Sequence, residues 1–197
     1  KSASRVNHVI KTELGLVGVG ICADNHYAFL LPQLQEASVD LLLMPHAWPA
    51  PFKTGPGVSE EDIQRQQRMA REIAPYYTRW LGVPSVFANH CGSVCQEKGV
   101  GITASALSGS NYHFAGLSRI IDSNGSLVGS LEGEEGLILA QVTLDPALKR
   151  KETAPVYGKW IMPKPFAVDA LLTVDGAAGR LWYALNRKRK SSALRLQ

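Results

Sequence analysis

No apolar run in this chain is long enough to cross a bilayer. Leu14–Ala23 and Leu41–Met44 both fall far short of the roughly twenty residues a spanning helix needs. The opening residues, Lys1-Ser2-Ala3-Ser4-Arg5, lack the apolar core of a secretory signal, and the sequence starts without Met, as a processed or truncated piece would. Cysteine is scarce. Cys22, Cys91 and Cys95 are an odd number, which argues against a disulfide framework and makes a reducing, cytoplasmic setting the default expectation. Cys91 and Cys95 have no second Cys or His pair at zinc-binding spacing nearby, so neither a metal nor a cofactor is expected. Internal repeats and low-complexity tracts are missing too, which excludes solenoid and fibrous classes.

What is present suits a soluble globular domain. The 197 residues are 45% hydrophobic and 19% charged, enough to bury a real core. Charge is spread unevenly. Residues 146–197 carry 11 Lys and Arg against 3 Asp and Glu, a balance of +8, and the rest of the chain brings the total to +4. Arg187-Lys188-Arg189-Lys190 is the densest run. It could meet nucleic acid, anionic lipid or an acidic partner. Being short and without interleaved aromatics, it reads first as a solvated basic tail.

The chain organises around Leu14–Asp24, an apolar, Gly-spaced run with β-branched residues that ends on Cys22 and Asp24. It reads as a buried strand. Gly15, Gly18 and Gly20 leave room for another backbone or a ligand. Cys22 has two readings at this point, a passive buried cysteine or a nucleophile on a rigid element. Residues 6–12 predict a strand that pairs with it through a turn at Glu13-Leu14-Gly15. Tyr27–Ala37 predicts a helix, with Phe29, Leu30, Leu34 and Ala37 on one face and Pro32 in the first turn. Val39–Met44 predicts a second buried strand, and strand, helix, strand implies a parallel crossover in an α/β protein. The Pro45–Phe52 loop follows. Its Trp48 and Phe52 either line a pocket or cover the core edge.

Ser59 caps a long helix, with Asp62 in the capping-box position. Pro75 is expected to kink or split that helix after Ala74, and Gly82 to close it. Pro84–Asn89 predicts a third strand, and residues 90–112 a long loop. Phe114–Asp122 and Leu127–Leu131 predict a hairpin around Asn124-Gly125, Gly136–Leu144 a last strand, and Asp145-Pro146 the start of a short basic helix to about Lys151. Residues 1–152 form one domain in this reading, and 153–197 an extension that packs on it or on a neighbouring subunit.

Five segments, in order, resemble the nitrilase superfamily of carbon–nitrogen hydrolases. Gly18-Val19-Gly20-Ile21-Cys22-Ala23-Asp24 is similar to the family's nucleophile strand. Ala37–Pro45 is similar to the strand that follows it. Val86-Phe87-Ala88-Asn89-His90-Cys91-Gly92 and Phe114–Gly125 resemble its Ala-Asn strand and its Phe-x-Gly-x-Ser hairpin, and Glu135–Leu144 its closing strand. The resemblance covers about residues 9–150. It implies an α/β fold, a four-layer α-β-β-α sandwich, with the first half of the family fold not present in this chain. It also implies a Glu-Lys-Cys catalytic set for hydrolysing an amide, carbamoyl or nitrile.

In that set Cys22 is the nucleophile and the Ala23 N–H an oxyanion donor. The loop carrying His46 and Trp48 lines the acyl pocket, and the substrate is a small amide or nitrile. The general-base Glu and oxyanion Lys are expected upstream of residue 1. Neither Lys1 nor Lys11 stands in the family's motif. Ala23 replaces the usual aromatic, Tyr27-Ala28-Phe29 stands where Phe-Pro-Glu is common, and Gly82-Val83 stands where Glu-Asn often ends the long helix. A catalytically inactive module acting in oligomerisation or partner binding is the alternative, and a homo-oligomer is expected in either case.

Overall fold

The strand before Cys22 lies second from the edge of a six-stranded sheet. In this computed structural model, which describes residues 7–55, 58–93, 112–163 and 166–185, β1 (Val9–Thr12) and β2 (Gly15–Val19) form the expected hairpin, Val9 opposite Gly18. Next come α1 (Leu30–Ala37), β3 (Leu41–His46), β4 (Pro49–Pro51), α2 (Glu60–Leu81) and β5 (Ser85–Asn89). Then follow β6 (Tyr112–Phe114), β7 (Arg119–Ile121), β8 (Leu127–Ser130) and α3 (Phe166–Leu185). The large sheet runs β1-β2-β3-β5-β7-β8, and β4 and β6 pair apart from it. β2, β3 and β5 are mutually parallel, so β2-α1-β3 is the crossover unit the sequence implies. Two compact units are present. One comprises Lys1–Val94 with Ser110–Met162, the other Cys95–Gly109 with Pro163–Gln197.

Period-two burial makes the core. Leu42 and Met44 of β3 and Phe87 of β5 are buried, and they cluster with Leu30 and Leu34 of α1 and Ile73 and Tyr77 of α2. Each such side chain contributes about 2 kcal/mol by leaving water. Leu41 and Leu43, on the opposite face of β3, are only half-buried. The second large sheet of a four-layer sandwich is not found among the described residues. Ala154, Ile161 and Met162 join the same core, so the chain beyond residue 152 contributes to this unit.

Several boundaries differ from the sequence reading. α1 starts at Leu30, after a turn at Tyr27–Phe29, and β2 stops at Val19, short of Cys22. The loop after β3 contains β4. Phe114–Asp122 is not one strand. It splits between β6 and β7, which belong to different sheets, because Gly116 (φ 62) and Leu117 (φ 61) take left-handed backbone between them. Gly136–Leu144 forms no strand. Leu137 and Leu139 stand 82% and 84% exposed, and the segment has no pairing edge among the described residues. The turn after Asp145 ends at Leu148. Cys95, most of the 90–112 loop and Arg187–Lys190 lie outside the described residues.

α2 is the clearest case of tertiary context overriding a local rule. Ser59 caps it reciprocally with Asp62, and Gly82 closes it at φ 68, where a Cβ would strike the Leu148 carbonyl. Pro75 lies inside, yet the helix continues through it. Proline has no N–H, so the Arg71 carbonyl four residues back loses its helical donor. The buried Arg119 guanidinium on β7 replaces it, its Nη1 donating to Arg71 O at 3.2 Å. The neighbouring Ala74 carbonyl accepts from Ser85 Oγ at 3.1 Å.

Candidate functional site

The parallel strands β2, β3 and β5 point their C-terminal ends the same way, and the motif residues gather there. The last ladder contact of the β2 edge is Gly20 N–H donating to Leu43 O at 3.0 Å. Two residues on, the chain leaves the sheet through Cys22, a non-glycine residue in the left-handed region at φ 48. Cys22 opens a short 3-10 turn, Cys22–His26, and is itself half-buried. Such backbone costs on the order of 1–3 kcal/mol and persists only where the surroundings enforce it. A thiol raised on a strained strand-to-helix turn has the placement of an exposed nucleophile.

Asn25 is what enforces it. This residue is fully buried, and its Nδ2 donates to Gly20 O at 2.6 Å and reaches Cys22 O at 3.4 Å. Its own carbonyl accepts from the buried Tyr77 hydroxyl at 3.1 Å, which fastens the turn to α2. Asn25 Nδ2 also stands 3.5 Å from His46 Nε2, while His46 Nδ1 lies 3.0 Å from Met44 O. With Nδ1 donating to that carbonyl, Nε2 is left as an acceptor for Asn25. Burial pushes the His46 imidazole down to about 4, against a smaller upward pull from the Met44 carbonyl. His46 is therefore neutral around pH 7.

Aromatic packing completes the wall beside the turn. The His26 and Trp48 rings meet edge to face at 4.4 Å, and His46 lies against Phe87 at 4.6 Å. Trp48 is buried. Its Nε1 donates to Gln66 Oε1 at 3.2 Å, and its backbone N–H donates to Asn89 Oδ1 at 2.9 Å. Asn89 in turn donates from Nδ2 to Gly116 O at 2.8 Å and from its backbone N–H to Ser118 Oγ at 2.9 Å. The Asn, Gly and Ser of two separate sequence motifs thus form one joint that holds the Trp48 loop at the strand ends. Ala23 follows Cys22 directly, and its N–H precedes the first bond of the turn, Asp24 N–H to Ile21 O at 3.0 Å.

Cys22, His46 and Trp48 are thus brought to one end of the sheet, with Cys22 and His46 linked through Asn25. Sequence reasoning missed Asn25, His26 and Tyr77. The signal available was Asp24-Asn25-His26, three polar residues between an apolar strand and an apolar helix. Among the described residues no group of His, Cys, Asp and Glu is arranged to hold a metal ion.

Known proteins place this architecture. A carbon–nitrogen hydrolase from Helicobacter pylori G27 superposes with a TM-score of 0.57 at 21% identity, over 69% of this chain and 43% of that one. An amidase from Nesterenkonia sp. AN1, solved after Michael addition of acrylamide at its active-site cysteine, gives a TM-score of 0.48 at 18% identity over 70% of this chain and 43% of its own. A branch 10 member of the nitrilase superfamily from Saccharomyces cerevisiae gives 0.44 at 21% identity, over 71% of this chain and 41% of its own. The chain therefore spans less than half the length of these solved proteins. No curated protein matches it. Residues 2–149, well over half of the sequence, match the model of the carbon–nitrogen hydrolase family, and the chain belongs to that family.

Proposed function

We propose that this chain carries the nucleophile of a thiol-dependent hydrolase acting on a non-peptide carbon–nitrogen bond of a small amide, carbamoyl compound or nitrile. The observation that carries the reading is Cys22 on its left-handed turn at the strand ends, within the segment that resembles the family's nucleophile strand. In this reading the Cys22 thiolate adds to the carbonyl or nitrile carbon. The oxyanion or imine nitrogen that develops accepts from the Ala23 N–H. With an amide, the amine leaves with a proton and a thioester remains, which water then cleaves to release the acid and the thiol. His46 and Trp48 pack against the turn that carries Cys22 through Asn25 and His26 and help to hold it in place.

A general base and an oxyanion lysine belong to this chemistry, and we assign neither to a residue of this chain. In this reading these two groups lie upstream of residue 1, and the active protein is a homo-oligomer.

Iodoacetamide labelling near neutral pH tests the proposal. Cys22 should react faster than Cys91 and Cys95, and Cys22→Ala should abolish the fast phase. A Cys22 that reacts no faster than a free cysteine would favour the non-catalytic alternative.

A further inference from the structure

A cationic cleft of about 260 Å³ opens where the end of α2 meets the turn between β7 and β8. Ser85, at the start of β5, pairs with Ile121, so the cleft lies at the opposite end of that strand from the Cys22 turn. Arg79, in the last turn of α2, and Arg150 line it, and no carboxylate does. Neither guanidinium has an ion-pair partner among the described residues. The Arg150 backbone N–H donates to Leu81 O at 2.9 Å, which anchors that residue at the helix end. Arg79 lies over the Trp80 ring at 5.6 Å. Asp122, next in the chain to the cleft, gives its carboxylate to the Thr143 N–H at 2.6 Å. Two neutral donors complete the wall. Asn124 Oδ1 accepts from Ser126 N–H at 2.8 Å, which leaves the amide Nδ2 for a ligand. Ser123 is 7% exposed, and its buried Oγ has no hydrogen-bond partner among the described residues. A buried hydroxyl without a bond is costly, and rotation about χ1 re-aims it without moving the backbone.

We propose that this cleft binds the phosphate group of a small aromatic phosphate monoester. Such a group carries about two negative charges and three terminal oxygens, which match two guanidiniums and two neutral donors. A carboxylate brings one charge and two oxygens, and would leave donors unused. The organic part of the ester has its own place. Pro75 and Arg79 also border a second cleft, of about 360 Å³, walled by Tyr76, Trp80, Pro155 and Met162. Glu72 stands on that second cleft and not on the cationic one. Charge therefore fixes the orientation, with the phosphate toward Arg150 and Ser123 and the ring toward Tyr76 and Trp80. The proposal is independent of the hydrolase reading.

Calorimetric titration of the full chain tests it, with phenyl phosphate, inorganic phosphate and benzoate compared at about pH 8, where the monoester is a dianion. Phenyl phosphate should saturate the protein below about 10 mM and bind at least about tenfold more tightly than either of the others. Arg79→Gln with Arg150→Gln should weaken it by at least about tenfold. Both arginines are exposed, so this variant should keep the urea midpoint of the wild type. Ser123→Ala should weaken phenyl phosphate and inorganic phosphate alike. Trp80→Leu should bring phenyl phosphate down to the affinity of inorganic phosphate. The proposal is overturned if phenyl phosphate fails to saturate, if benzoate or inorganic phosphate binds as tightly, or if any of the three variants leaves the affinity for phenyl phosphate unchanged.

Discussion

Asn25 fills the room that Gly20 leaves by having no side chain. A Cβ at residue 20 would run into the Asn25 amide and the Leu30 methyl group. Gly20→Ala should therefore destabilise the fold by about 2 kcal/mol and displace the Cys22 turn, read as a lower urea midpoint together with slower Cys22 alkylation. His46 sets a pH dependence. Its folded pKa of about 4 lies below the ordinary 6.5 because burial disfavours the imidazolium. As pH falls below about 6.5 the unfolded chain takes up a proton that the folded chain refuses, so stability falls until about pH 4. The window is worth on the order of 3 kcal/mol. Denaturation at pH 7 and pH 4.5 should show this slope, and His46→Gln should flatten it. Asp40 and Asp122 act lower down. Their folded pKa values are depressed by hydrogen bonds, from Lys149 and from the Thr143 N–H first of all. Their stabilisation is full above the usual carboxylate range and disappears only below it.

At the scale of elements, α2 and β7 depend on each other. Proline within a helix removes one bond and leaves one carbonyl without its donor, and Arg119 supplies a donor from another strand. Arg119 also donates from Nε to Leu117 O at 3.2 Å, which steadies the left-handed corner between β6 and β7. Its desolvation lowers its pKa, though far too little to deprotonate a guanidinium near neutral pH. Arg119→Met should cost about 2 kcal/mol by orphaning buried carbonyls. A double-mutant cycle isolates the cause. With Pro75→Ala in place the helix regains its own donor to Arg71 O, so the cost of Arg119→Met should shrink. Additive effects in urea denaturation would show that Arg119 acts elsewhere.

Over the whole molecule, the N-terminal ends of β2 and β3 are tied to the chain more than a hundred residues later. Lys149 Nζ donates to Asp40 Oδ1 at 2.5 Å and to Ser38 O at 2.7 Å, while Asp40 Oδ2 accepts from Leu16 N–H at 2.7 Å. The pair is partly screened, with side chains 21% and 24% exposed, so its worth lies in the shared backbone bonds more than in Coulomb attraction. Asp40→Ala should cost about 2 kcal/mol and Lys149→Ala about 1 kcal/mol. The two should be non-additive in a thermal or urea cycle. Arg71 and Glu132 make a similar long-range tie at 2.7 Å, more exposed and therefore weaker.

The sequence by itself determined the hairpin, the crossover, the capped long helix and the identity of Cys22 as the residue to watch. The three elements rest on local rules, on hydrophobic period, turn chemistry and capping, which act over a few residues, and Cys22 rests on the ordered motifs that resemble the family. It could not determine that Pro75 leaves its helix whole, because the compensating donor sits on a strand more than forty residues away. Nor could it turn Gly136–Leu144 away from being a strand, since a strand exists only where another edge accepts it. Asn25 was invisible for the same reason. Its importance comes from filling the space above Gly20 and touching Cys22 O and His46 together, and only tertiary packing brings those groups within reach. The sequence placed a thiol at the end of a strand, and the fold gave that half-buried thiol its strained turn, held in place by the buried Asn25.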